Sequence, residues 1–138
     1  MNGKTPVSVL AVTKQIKPAI YPNVDDDATI LLEYPGATGI IEASWNWPYG
    51  IKDLEVFGEK SYLHAMNSNT LERRDTVAYY KVTVKQAAYT DNLTYLAAVL
   101  RGKLNPAHDI SSLENNLVVV RILEAARESA KTGKKVVL

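Results

Sequence analysis

Lys17, Tyr21, Trp45, Asn46, Trp47 and Tyr49 combine flat aromatic faces with one ammonium and one amide. Such a set suits a sugar-like ligand, whose C–H faces stack on rings while its hydroxyls take hydrogen bonds. The same tryptophans can instead serve core or interdomain packing, the commoner use of large aromatics. Other candidates carry less chemistry. In Asp25-Asp26-Asp27 only the first and third residues share a face of an extended backbone, and hard cations need about six oxygen ligands. The triplet therefore reads as a solvated strand start. His64 lies in a strand-like run with no second ligand at useful spacing, so no metal site is expected. His108 and Asp109 are neighbours in a loop, and no nucleophile stands with a base, so no catalytic residue is expected either.

The elements that must position the corner read as a run of strands. Val7 to Ile16 is rich in β-branched residues and ends at Lys17-Pro18. In the next run, Ala28, Ile30, Leu32 and Tyr34 share one face, and Thr29, Leu31 and Glu33 the other. Tyr34-Pro35-Gly36-Ala37 fits a type II turn, with Pro setting φ and Gly supplying a positive φ after it. The chain returns through Thr38–Trp45, breaks at Asn46–Gly50, and enters a third strand at Asp53–Phe57. A meander of this kind brings the ends of Val7–Ile16 and Thr38–Trp45 to the same sheet edge. Lys17 and Tyr21 then approach the Trp45–Tyr49 corner.

Ser61–Met66, Leu71–Arg74 and Ala78–Val84 add three strands, after which the period changes. Leu93, Leu96, Ala97 and Leu100 recur at helical spacing, after a cap at Thr90 or Asp91 and before Gly102. A longer helix starts at Ser111, where Ser111-x-x-Glu114 makes a capping box, and runs to about Thr132 with Gly133 as its stop. Val119, Ile122, Leu123, Ala126 and Ala130 form its stripe, widened by Leu117, Val118 and Val120, which suggests burial between layers. Lys135 to Leu138 reads as a last short strand. The expectation is one α+β domain over residues 1–138: an open, mainly antiparallel sheet with helices packed on one face. The other face then needs a partner or a polar coat, and Tyr79, Tyr80, Val82 and Val84 are placed there.

Composition narrows the partners. Sixteen basic and fifteen acidic residues give no bias towards nucleic acid or an anionic membrane. The absence of cysteine removes disulfides, thiol catalysis and cysteine-ligated zinc. No apolar run approaches about 18 residues, so no membrane helix is expected. Met1-Asn2-Gly3-Lys4 lacks a signal-peptide core, which favours the cytoplasm but leaves export open if an upstream segment is missing.

Several short motifs stand in a recognisable order. Asp25-Asp26-Asp27-Ala28 opens a strand, Ala43-Ser44-Trp45 closes the next, and Leu54-Glu55-Val56-Phe57-Gly58 forms the third. Ser112-Leu113-Glu114 opens a helix, which Ile122-Leu123-Glu124-Ala125-Ala126 and Ser129-Ala130-Lys131-Thr132-Gly133-Lys134 close. This ordered set resembles the C-terminal domain of the Gfo/Idh/MocA oxidoreductases. That family includes glucose–fructose oxidoreductase and inositol dehydrogenase and acts mainly on sugars and polyols with NAD(P). Ser61 departs from it, since members often have a second Gly after Gly-Glu-Lys.

The resemblance implies a Rossmann domain, a catalytic Lys in Glu-Lys-Pro, and Asp and His spaced as Asp-x-x-x-His. None is found here. No two of the seven glycines are spaced as Gly-x-Gly, and βαβ alternation is missing. Glu59-Lys60-Ser61 sits at a hairpin tip without Pro, while Lys60 and Leu104 stand four residues before His64 and His108. The chain is therefore expected to begin after the catalytic helix and to bind no cofactor itself, NAD or NADP being implied for the full-length enzyme. Its expected partners are an N-terminal Rossmann domain of the same polypeptide, a carbohydrate-like substrate, and further copies of itself through the open sheet face. The alternative is a stand-alone α+β interaction module with no catalytic role.

Overall fold

The computed structural model describes residues 5–67, 69–83, 89, 91–107 and 109–138. Its elements are β1 (Ser8–Lys14), β2 (Asp27–Tyr34), β3 (Ala37–Ser44), β4 (Leu54–Phe57), β5 (Ser61–Asn67), β6 (Thr70–Asp75), β7 (Tyr79–Val82), α1 (Asn92–Leu100), α2 (Leu113–Thr132) and β8 (Val136–Val137). All strand pairings among them are antiparallel, so the α+β expectation holds. The strands divide between two four-stranded sheets, and the chain between two compact units: residues 1–47 with 105–138, and residues 48–104. Strand periodicity alone does not reveal such a division. Among the described residues no helix is long and apolar enough to cross a membrane.

The first unit has the strand order β3-β2-β1-β8, with α2 packed on β1 and β8. Gly36 takes φ of 82°, as the type II turn between β2 and β3 requires. The alternation read in β2 is borne out, because Ile30 and Leu32 are buried while Leu31 is exposed. They face Ala11 and Val9 across the β1–β2 ladder, and Ala125 and Ala126 of α2 complete the core. Glu33 ties the sheet edge together. Its carboxylate accepts from the Ser8 hydroxyl and, at 2.8 Å, from the Lys135 ammonium just before β8.

The buried stripe of α2 differs from expectation. Ala126 is buried and Ile122 and Ala130 pack against the core, but Val119 and Leu123 are 43% and 49% exposed. Ala125 and Ser129 take their place, because the face turned to the sheet runs through 122, 125, 126 and 129, an i, i+3, i+4, i+7 row. The N-cap is Ser112, not Ser111. Asp109 accepts from the Ser111 N–H at 2.8 Å and holds that residue in the preceding turn, while the Ser112 hydroxyl accepts from Asn115 N–H at 3.2 Å. Gly133 ends the helix in a left-handed conformation, φ 68°, as read.

Ser129 is fully buried. Strand β1 pairs with β8 only through Ser8 and Val9, so the N–H of Ala11 points past the end of that ladder. The Ser129 hydroxyl accepts from this N–H at 2.9 Å and donates to the Lys134 carbonyl at 2.6 Å.

The second unit holds β4-β5-β6-β7 and α1. Asp91 caps α1 through the Thr94 N–H, 2.8 Å away. The alternative cap Thr90, like Val84 and His108, lies outside the described residues. Tyr79 and Tyr80 are consecutive in β7 and so point to opposite faces; only Tyr80 shares a face with Val82.

Ser129→Ala should cost roughly 1–3 kcal/mol of unfolding free energy, because it leaves the Ala11 N–H buried without an acceptor. Urea denaturation of the two proteins measures it, and an unchanged midpoint would discount the bridge.

Candidate functional site

The corner is built around Asp26, which is 3% exposed. One carboxylate oxygen accepts from Ile16 N–H at 2.7 Å and the other from Lys17 N–H at 2.8 Å. Its own N–H donates to the Lys14 carbonyl, and its carbonyl accepts from Trp45 N–H at 2.9 Å. The Asn46 amide also donates to that carbonyl, at 3.2 Å. One residue thus joins the end of β1, the start of β2 and the end of β3. The sequence reading of a solvated aspartate triplet is corrected for this member. A buried carboxylate is stable when backbone N–H groups solvate it, and those donors come from a loop about ten positions away. Asp25 has a simpler part, accepting from the Thr13 hydroxyl at 2.6 Å.

Burial alone would raise the Asp26 pKa. The two backbone donors, assisted by the Asn46 side chain, outweigh it and hold the group below its ordinary value of 3.8. Asp26 is therefore an anion that positions its neighbours, and its acid–base chemistry lies far from neutral pH.

Of the six sequence-predicted residues, Lys17, Tyr21, Trp45, Asn46 and Trp47 fall in the first unit. Lys17 carbonyl accepts from Ile20 and Tyr21 N–H at 3.0 and 2.9 Å, so a short turn carries Tyr21 back to the strand ends. Its ring meets Trp45, centroid to centroid 4.9 Å with planes tilted by 54°. Trp45 remains 62% exposed and Trp47 38% exposed, so neither is spent wholly on burial. Asn46 turns inward; its amide also lies 3.3 Å from the Ser44 hydroxyl, and its Oδ1 is buried without a partner. Tyr49 belongs to the second unit and is 69% exposed.

The second unit contains a grouping that linear spacing concealed. His64 Nε2 lies 2.6 Å from Asp53 and 3.8 Å from Glu55. The reading that His64 lacks a nearby ligand is thus corrected, since the β4–β5 register sets Glu55 directly opposite it. A surface cavity of about 430 Å³ in the same unit is lined by Tyr89, Leu93, Ala97, Arg101 and Lys103 among others, and includes none of the six predicted residues.

Residues 1–64 match the family model of the GFO/IDH/MocA C-terminal domain. Over that stretch the chain is similar to the Gfo/Idh/MocA C-terminal domain. No curated protein matches the sequence. Solved structures extend the likeness to nearly the whole chain, as fold. A Thermotoga maritima protein classed as an oxidoreductase superposes with a TM-score of 0.83 at 18% identity, over 99% of this chain and 42% of that one. The aldose-aldose oxidoreductase of Caulobacter crescentus, complexed with glycerol, gives 0.76 at 20% identity, over 99% and 42%. An inositol dehydrogenase homologue from Azotobacter vinelandii, complexed with NADH and myo-inositol, gives 0.75 at 17% identity, over 99% and 45%. The chain therefore spans less than half the length of each.

Asp26→Asn should destabilise the protein at neutral pH and flatten its acid response. A carboxylate with a depressed folded pKa contributes fully above its ordinary 3.8 and loses that contribution as pH falls through the folded value. Denaturant unfolding from neutral pH to below 3.8 reads this; parallel curves for the two proteins would contradict it.

Proposed function

We propose that this chain is a single α+β domain forming the substrate-side wall and an oligomerisation surface of an NAD(P)-dependent oxidoreductase that acts on a sugar, polyol or related carbohydrate. The observation that carries this reading is the Tyr21–Trp45 ring pair, fixed at the ends of β1 and β3 by the buried Asp26 and still open to solvent. Tilted aromatic faces of this kind stack against C–H groups, and an ammonium such as that of Lys17, which opens the turn carrying Tyr21, suits hydroxyl oxygens. Trp47 extends the wall, with Asn46 bracing it from within. The ligands of the two named relatives, glycerol and myo-inositol, are of the same chemical class. In this reading a Rossmann domain on the same polypeptide brings the dinucleotide and the general base, and this chain binds neither.

The self-association surface is best supported on the far face of the first sheet. Leu10, Leu31 and Ile40 are cross-strand neighbours there and stay 39%, 36% and 66% exposed. An apolar row of this kind on an open sheet face favours burial against another copy.

In the full-length polypeptide, Trp45→Ala should raise KM for the carbohydrate about tenfold, the loss of one aromatic contact of roughly 1.5 kcal/mol, with little change in KM for the dinucleotide. An unchanged carbohydrate KM would favour the stand-alone interaction module. Separately, Leu31→Lys should shift sedimentation of a self-associating wild type towards monomer; a wild type that stays monomeric at high concentration would remove the surface from the proposal.

A further inference from the structure

Two carboxylates and an imidazole converge on the outer strand pair of the second unit. Glu55 and His64 are paired across the β4–β5 ladder, and Asp53, just before β4, reaches the same His64 nitrogen. One ligand atom from each lies within 4.8 Å of the others. The His64 side chain is 19% exposed, against 43% for Asp53 and 44% for Glu55. The ring is thus held by its surroundings and the carboxylates form the open side.

We propose that Asp53, Glu55 and His64 form a binding site for one divalent transition-metal ion, best suited to Zn²⁺, with water completing the coordination. The donor set favours that choice. One imidazole and two carboxylates fit zinc, whereas Mg²⁺ and Ca²⁺ prefer oxygen alone and more of it. The spacing is close to what zinc needs. Ligands about 2.0–2.1 Å from a tetrahedral ion sit roughly 3.3 Å from one another, so the 2.6 Å contact must open and the 3.8 Å contact close by about half an ångström or slightly more. Rotation about the carboxylate side chains covers such distances.

Charge points the same way. Among the described residues no Lys or Arg is ion-paired with Asp53 or Glu55, whose salt bridges are to His64 alone. Glu72 adds a third carboxylate opposite His64 on β6, with Lys81 facing it from β7. Tyr62 braces the site. Its hydroxyl donates to Glu55, and its ring lies 5.9 Å from that of His64. Such outer partners orient ligands towards a metal. On binding, the ion would replace the Nε2–Asp53 contact, any proton held between them being released to solvent, and would join β4 to β5.

The test is isothermal titration of the metal-depleted full chain with Zn²⁺, alongside thermal unfolding with and without it. The expected result is one Zn²⁺ per chain and a raised Tm. Glu55→Gln and His64→Gln should each weaken binding by about tenfold or more. His108→Gln, which alters the other of the two histidines, should leave it intact. Should a site variant fold poorly, the wild type still decides through the His64 ring resonances, which must shift on addition of Zn²⁺. Absence of saturable binding, unmoved His64 resonances, full affinity in His64→Gln or Glu55→Gln, or loss in His108→Gln would each overturn the proposal.

Discussion

The first unit depends on one hydroxyl. Strand β1 has a ladder partner on its β8 side for only two residues, so the edge beyond Val9 is covered by helix α2 instead of by a strand. A helix cannot continue a ladder, and a buried N–H left without an acceptor costs more than an ordinary hydrogen bond contributes. Ser129 resolves this by accepting from Ala11 and donating to Lys134, whose carbonyl leads into β8. The same contact therefore seats the helix, closes the sheet edge and directs the chain into its last strand. Ala125 and Ala126 pack beside it against Val9, Ala11, Ile30 and Leu32, where small side chains let the helix approach the sheet.

Asp26 solves a related problem where strands end. Chain leaving a sheet exposes backbone groups that no ladder satisfies, and the Asp26 carboxylate gathers two of them, from Ile16 and Lys17. Its main chain meanwhile accepts from Trp45 and from the Asn46 side chain. The exposed Trp45 ring, against the half-buried Tyr21, consequently rests on a buried anion and a rigid sheet, which is how a surface aromatic can keep a defined orientation without being buried. Asp26 thus positions the corner while the Trp45 ring stays at the surface. The residue holding the corner together makes no direct use of its charge at the surface.

The two units carry different kinds of chemistry. The family match over residues 1–64 runs from the first unit into β4 and β5 of the second, and the Tyr21–Trp45 corner lies in the first. The second has a narrow sheet with a His-carboxylate cluster produced by cross-strand register. The chain spans less than half the length of the solved structures whose fold it shares. A metal joining β4 to β5 would reinforce a short four-residue strand that has few other constraints.

Local pattern was enough for much of this. Period-two alternation marked the buried face of β2, Pro35-Gly36 marked its turn, and Gly133 marked the end of α2, because each depends on backbone preferences of adjacent residues. The aromatic corner was legible for the same reason, as an antiparallel meander returns alternate strand ends to one edge. Long-range satisfaction of polar groups was not legible. Ser129 looked like a polar interruption of an apolar stripe, and its value comes from an N–H 118 positions away. Asp26 looked like one of three solvated acids, and only the returning loop supplied its donors. His64 showed no ligand at local spacing because its companions arrive across a hairpin. Sequence alone determined the strand and helix types and the family likeness; tertiary structure decided which polar residues are buried, since burial depends on partners that the chain brings together only on folding.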